Sequence, residues 1–337
     1  MSLLHRPNAS RRSPRRWGRG TALIASAWVA ALFGLTAPAH ANLTIIPTYA
    51  ANITSDVNAA TIIGTINAAI QEYQAQFTDN INVRITFQEG GGLGGSSTFI
   101  QQYSYGVFRT ALAADATTAD DTTALASLPN QATSPADGNT NLWVTTANAR
   151  AVGLSGNSNG TDGTITLNTS IMNLDRTSIN PSKYDLKSVT QHEIDEVLGM
   201  GSGLNLPANF PRLSRPQDLF RYSAAGTRSF STTPGVNSYF SIDGGTTNLV
   251  GFNDSATHGG DYGDWATNAT KRVQDAFGTP GATANLGVEL VNLDVIGYDR
   301  IVPSAAVPEP ATLSMLAAGA LAFVGRALIA RRKRRSI

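Results

Sequence analysis

The residues best able to do chemistry lie in the run Val189-Thr190-Gln191-His192-Glu193-Ile194-Asp195-Glu196-Val197-Leu198-Gly199-Met200-Gly201-Ser202. His192 and Glu196 are four apart, so on a helix they project from one face about one turn apart. An imidazole and a carboxylate so placed can both bind a divalent metal, and the adjacent Glu193 can polarise a water as general base. Gly199 lets the helix end and the chain turn. Val189, Ile194, Val197 and Leu198 anchor the helix in a core. A catalytic zinc needs three protein ligands and an open position. Residues 42–306 hold only two histidines, His192 and His258. The candidates for the third ligand are His258, Asp261, Asp264 and Asp218. Gly259 and Gly260 mark a flexible loop beside His258, where a surface position is the simpler reading. The run Gly260-Asp261-Tyr262-Gly263-Asp264-Trp265 lacks the EF-hand pattern and reads as a tight Asp/Gly turn capping Trp265.

Composition removes several alternatives. The chain has 337 residues and no cysteine. That excludes a disulfide scaffold, cysteine-ligated zinc, iron–sulfur clusters, a thiol nucleophile and a thiol switch on the metal. The formal charge of +1 sums unlike parts. Residues 42–306 carry 13 Lys and Arg against 23 Asp and Glu, a formal −10. Such an acidic body has nothing to neutralise phosphates, so no nucleic-acid partner is expected. Gly90-Gly91-Gly92-Leu93-Gly94-Gly95 lacks the Lys-Ser/Thr of a phosphate loop and reads as a mobile loop.

The elements that must position the motif follow from periodicity. Thr44–Tyr49 reads as a short strand. Ala59–Phe77 is an amphipathic helix with Ile62, Ile63, Ile66, Ile70 and Tyr73 on one side. Ile81–Phe87 alternates as a strand. Phe108–Leu128 is partly helical, Trp143–Leu154 and Thr164–Asn168 read as strands, and Lys187–Gly199 is the clearest helix. Beyond it, Tyr239–Ile242 and Leu249–Phe252 are strand-like with a hairpin turn at Asp243-Gly244-Gly245. Helices are expected near Asn268–Phe277 and Val288–Ile296. Strands alternating with helices, then a mixed second half, predict an α/β or α+β single domain with two lobes.

Both ends read as addresses. Six arginines precede an apolar run from Thr21 to Leu35, and Ala39-His40-Ala41 is a small-x-small cleavage site. Residues 1–41 are thus an expected signal peptide, and the body spans 42–301. Residues 302–310 form a linker ending in Val307-Pro308-Glu309-Pro310. An apolar stretch, 311–330, is long enough to span a bilayer, and the basic tail 331–337 should stay cytoplasmic. The order Pro-Glu-Pro, short span, basic tail resembles the PEP-CTERM sorting signal of Gram-negative bacteria. That resemblance implies an exosortase-type protease as partner, transient inner-membrane anchoring through the C-terminal helix, and delivery to the cell surface or extracellular matrix.

The motif itself resembles the metzincin signature His-Glu-x-x-His-x-x-Gly-x-x-His, especially its matrixin form, with Tyr184-Asp185-Leu186 upstream and Leu198-Gly199-Met200-Gly201 downstream. His192, Glu193 and Gly199 match that pattern. Glu196 stands at its second histidine and Ser202 at its third. No methionine lies between Met200 and Met315, so the usual methionine turn is absent; Ser214–Tyr222 is where one would lie, with Tyr222 beside the metal. With the sorting tail, the chain resembles a family of PEP-CTERM-anchored zinc metalloproteases that carry a His-Glu-Ile-Asp-Glu-Val-Leu-Gly run. The likeness extends through Asp218–Tyr222, Phe240–Gly245, Gly260–Trp265 and Leu293–Tyr298. It implies a metzincin-like two-lobed domain with a twisted mixed sheet and the His192 helix at the floor of a cleft. It also implies Zn2+, a peptide or protein substrate, Glu193 as base and residues 203–301 as the lower wall. Thr164, Ile165 and Thr166 would form an edge strand binding substrate by strand addition. Glu196 shifts preference toward harder metals. The competing expectations are a catalytically inactive surface or matrix adhesion protein, motivated by Ser202 and the missing methionine, and a calcium-stabilised structural module.

Overall fold

A computed structural model describes residues 42–156 and 160–302. The expected signal peptide, the span 311–330, the basic tail and nearly all of the linker lie outside the described residues. Among the described residues no helix is long and apolar enough to cross a membrane.

The chain runs β1 (Thr44–Tyr49), α1 (Ala51–Thr54), α2 (Ala59–Gln74), β2 (Asn82–Glu89), β3 (Gly94–Thr98) and β4 (Ile100–Ser104). Then come α3 (Tyr105–Asp115), α4 (Ala119–Ser127), β5 (Asn141–Thr145), α5 (Thr146–Ala151) and β6 (Gly163–Leu167). Two short strands, β7 (Met172–Asn173) and β8 (Tyr184–Asp185), lead into α6 (Leu186–Leu198). The remainder holds β9 (Arg221–Ala224), β10 (Thr227–Arg228), β11 (Tyr239–Phe240), β12 (Val250–Gly251), α7 (Ser255–His258) and α8 (Val288–Val295). The expected mixed α/β class is therefore observed.

The main sheet has the order β1-β2-β6-β3. β1, β2 and β6 are parallel, and β3 is antiparallel to β6. Alternation sets one face of it: Val83, Ile85 and Phe87 of β2 and Ile165 and Leu167 of β6 are all buried. Against them pack α2, through Ile62, Ile66, Ile70 and Tyr73, and α6, through Val189, Ile194, Val197 and Leu198. Full burial of each such side chain contributes about 1.5–3 kcal/mol. Some of the polar groups that α6 carries inward find partners: Gln191 Nε2 donates to Glu72 at 2.5 Å, and the Tyr73 hydroxyl lies 2.8 Å from both Asp195 Oδ1 and the Gln191 carbonyl, while Gln191 Oε1 and Asp195 Oδ2 are left unpaired. One cluster of buried apolar residues runs from Leu43 to Tyr298, so the two lobes expected from the sequence share a core.

Three local expectations are corrected. Thr164–Asn168 is no edge strand: β6 is hydrogen-bonded to β2 on one side and β3 on the other, which removes Thr164, Ile165 and Thr166 from any free edge. The edge belongs to β3, so the glycine run read as a mobile loop partly folds as strand, Gly95 pairing with Thr166 and Ser96 with Ile165. Gly94 needs to be glycine: a Cβ there would stand 2.4 Å from Glu193 Oε1 and 2.6 Å from Val189 Cγ1. The expected strand Trp143–Leu154 ends at Thr145, whose hydroxyl accepts from Asn148 N and caps α5.

The expected helix near Asn268–Phe277 is absent as well. There the backbone pairs with the Trp265 strand-like segment: Trp265 N donates to the Gln274 carbonyl at 2.8 Å and Ala276 N to the Trp265 carbonyl at 2.9 Å. Glu289, fully buried on α8, accepts from Trp265 Nε1 at 3.0 Å and from Gln274 N at 3.1 Å. Those tertiary bonds outcompete the one intrahelical ladder the segment could make. Trp265 itself is fixed between Phe240 and Phe252, at ring-centroid distances of 5.7 and 5.1 Å.

Candidate metal centre

α6 is placed by its ends. Asp185 caps its first turn, accepting from Ser188 N at 3.0 Å and Ser188 Oγ at 2.5 Å, and Arg176 pairs with the same carboxylate. Gly199 ends it with φ at 133°, a conformation that L side chains rarely adopt. Between these ends His192, Glu193 and Glu196 face a cleft of about 320 Å³. Its walls are Leu93 with the start of β3, Tyr184 and Asp185 with the first turn of α6, Gly260, Asp261 and Asp264, and the strap segments 271–273 and 275–279.

Asp264 completes the group. One ligand atom each from His192, Glu196 and Asp264 lies within 4.8 Å of the others. His192 Nε2 is 4.0 Å from Glu196 Oε1 and 3.7 Å from Asp264 Oδ1. Tetrahedral binding with bonds of about 2.1 Å puts ligand atoms about 3.4 Å apart, so the three need move only slightly to share one cation. His192 Nδ1 lies 3.0 Å from the Val273 carbonyl, to which it donates. That bond leaves Nε2 as the ring nitrogen aimed at the carboxylates, the arrangement that fixes a metal-binding imidazole. Glu196 is steered from the other side by Ser96 Oγ, which donates to Oε2 at 2.5 Å. The donor set, one imidazole and two carboxylates, fits a divalent cation such as zinc.

The electrostatics match a site built for positive charge. Burial opposes charge on His192, but the carboxylates of Asp264, Glu193 and Glu196 and the Val273 carbonyl outweigh it and push its pKa up to about 10. Burial, with Glu196 and Asp261 nearby, raises Asp264 to about 7, while His192 and Gln274 act against the rise. Glu193 is held well above the usual carboxylate range by burial and by Glu196, to which it is hydrogen-bonded; His192 works against this. A cation placed among these groups must displace the protons that His192 holds below pH 10 and Asp264 holds below about pH 7. Metal affinity is therefore expected to rise with pH, by about tenfold per unit for each proton displaced. Competition against a chromophoric chelator from pH 6 to 8 reads this slope; an affinity flat across that range contradicts it.

The other sequence candidates separate cleanly. Asp218 is buried and engaged, accepting from Ser202 Oγ at 2.6 Å and from Gly203 N and Arg215 N at 2.9 Å, with Arg221 at 3.6 Å. It organises the turn after α6 rather than a metal, and Ser202, at the third-histidine position, is its donor. Asp261 lines the cleft, but its Oδ1 accepts from Asn205 Nδ2 at 2.7 Å and it stands outside the three-ligand cluster. His258 ends the short exposed helix α7 and does not line the cleft. Tyr222 is buried under the Arg228 guanidinium, with which its ring stacks at 4.8 Å, and likewise does not reach the cleft. The turn Gly260–Trp265 does bury Trp265 as the sequence suggests, but Asp264 within it is also a ligand candidate. Ser96, Val273, Gln274 and Glu289 escaped sequence reasoning: none belongs to a motif, and the strap that carries two of them reads as a helix.

Residues 306–335 match the family described as the PEP-CTERM protein-sorting motif. The motif implies export, membrane-anchored sorting and processing by exosortase-type machinery. No curated protein and no solved structure matches the chain.

Proposed function

We propose that the protein is a surface-sorted, metal-dependent endopeptidase with a metzincin-like body. The observation that carries this reading is the cluster of His192, Glu196 and Asp264 on a cleft floor, with Glu193 beside it and a sheet edge above it. A bound divalent metal, with Zn2+ the leading choice, supplies Lewis acidity toward a peptide carbonyl and lowers the pKa of water. His192 Nε2 and one oxygen each of Glu196 and Asp264 hold it. Glu193 takes the proton of the attacking water and passes it to the leaving amine. The free edge of β3, Gly94–Thr98, aligns an extended peptide by strand addition, the task first expected of Thr164–Thr166. Peptides or proteins at the surface or matrix of a Gram-negative bacterium are the substrate class.

The inactive adhesion alternative draws on Ser202, a poor ligand at the third-histidine position. Asp264 is placed to offer a donor from elsewhere in the chain, which weakens the Ser202 motive and leaves that of the missing methionine turn. The test is metal removal. The purified protein should cleave unfolded protein substrates, lose cleavage on chelation and regain it on addition of Zn2+ or another divalent metal. Cleavage that survives exhaustive chelation, or no cleavage with any metal restored, rejects the reading.

A further inference from the structure

Gln274 is fully buried in the strap that faces α6, yet its side chain ends against the candidate ligands His192 and Asp264. Its Nε2 donates to Asp264 Oδ1 at 2.9 Å and stands 3.2 Å from His192 Nε2. One amide nitrogen thus contacts both of these ligand atoms. At the other end of the same carboxamide, Oε1 is buried without any hydrogen-bond partner. A buried amide oxygen left unpaired is costly, and here it belongs to a side chain that also touches two candidate ligands, which calls for a reason. The reason is supplied by the two-fold shape of the amide: a half-turn about its last torsion exchanges Oε1 and Nε2 with little change in volume.

We propose that Gln274 is a fourth metal ligand, whose carboxamide turns over to present Oε1 to a divalent cation shared with His192, Glu196 and Asp264. The proposal rests on the metal reading above, adds a donor that the sequence motif does not contain, and requires the attacking water to take a fifth position, an expansion that catalytic zinc tolerates. Without a cation, Nε2 donates to Oδ1, one of the Asp264 acceptors beside His192, and holds the pocket in shape. With one, that acceptor turns to the metal, and the oxygen replaces the nitrogen in the same place. The backbone of Gln274 is fixed independently of this turn, its N–H on Glu289 and its carbonyl on Trp265 N. The resulting set, one imidazole nitrogen and three oxygens, is harder than a three-histidine site and shifts preference toward metals that accept oxygen.

The experiment uses Co2+ as a spectroscopic probe on the purified protein, with wild type, Gln274→Leu and Gln274→Glu compared. Gln274→Leu should weaken Co2+ binding by more than the roughly 10–100-fold that loss of a merely orienting group brings, and change the visible d–d spectrum, because one donor leaves the coordination sphere. Gln274→Glu, which keeps an oxygen on the same stem, should restore affinity to wild type or better. Far-UV circular dichroism and melting of each variant without metal separate lost ligation from lost folding. Gln274→Leu binding Co2+ as tightly as wild type with the same spectrum overturns the proposal and leaves the three-ligand centre standing. Failure of wild type itself to bind Co2+ overturns both, and is told apart by the wild-type titration alone.

Discussion

Glu193→Gln should lower peptide hydrolysis by about 10²–10⁴-fold, the usual contribution of a positioned general base, while metal content stays at the wild-type level. Glu193 is not one of the three clustered ligands, so its loss removes no metal contact. Its carboxylate lies beside Gly94, at the start of β3, the edge that would carry a peptide. Gln keeps the shape of the side chain and can still donate to Glu196. It also removes a buried acid whose ionisation burial and Glu196 both resist. The metal-free variant should therefore melt no lower than wild type. A fall in turnover with metal and melting temperature intact assigns Glu193 to the chemical step. Full activity in the variant would falsify the proposed mechanism outright, and loss of metal would move Glu193 from base to ligand.

Much of this site was legible because helices announce themselves. The 3.6 periodicity of Val189, Ile194, Val197 and Leu198 fixes which face of α6 is buried, and that leaves His192 and Glu196 together on the cleft side. The strand β2 was legible from its own period, since Val83, Ile85 and Phe87 alternate as a strand buried on one face, whereas its parallel pairing with β1 and β6 was not. The rest depends on contacts distant in sequence. Nothing local tells that β3 rather than β6 takes the edge, because the glycines that let β3 approach α6 carry no alternation to read. Gly94 is small for the sake of Glu193, 99 positions away. The strap 268–277 has the composition of a helix end, but Glu289 and Trp265 claim its backbone groups. Asp264 and Asp218 are equally plausible in the sequence, both being aspartates in turn-rich segments after the motif. What divides them is the donors that surround each one.

That division makes the second large effect specific. Asp264→Ala should abolish tight metal binding, a loss greater than the roughly 10–100-fold typical of removing a group that only orients a ligand. Its carboxylate is buried, 3.7 Å from His192 Nε2, and contributes one of three donors. The loss has to be told apart from unfolding. Removing Asp264 relieves its repulsion with Glu196 and Asp261 but also ends its attraction to His192 and its bond from Gln274, so the melt of the metal-free variant is the check on folding. Trp265 next to it keeps its ring contacts and its bond to Glu289. The contrast is Asp218→Asn, which strips a fully buried carboxylate from Arg221 and should cost about 3–5 kcal/mol of stability, the range for breaking a buried pair. Its folded fraction should nevertheless carry metal at wild-type stoichiometry, because Asp218 holds the turn at Ser202 and Gly203 and not the cation. His258→Ala and Asp261→Asn should change neither metal content nor hydrolysis by more than a few-fold. Elemental analysis after dialysis, run beside thermal melts of all four variants, reads both axes at once. Metal retained in Asp264→Ala, or lost in His258→Ala, would mean that the ligands are drawn from a different part of the chain than the cleft floor.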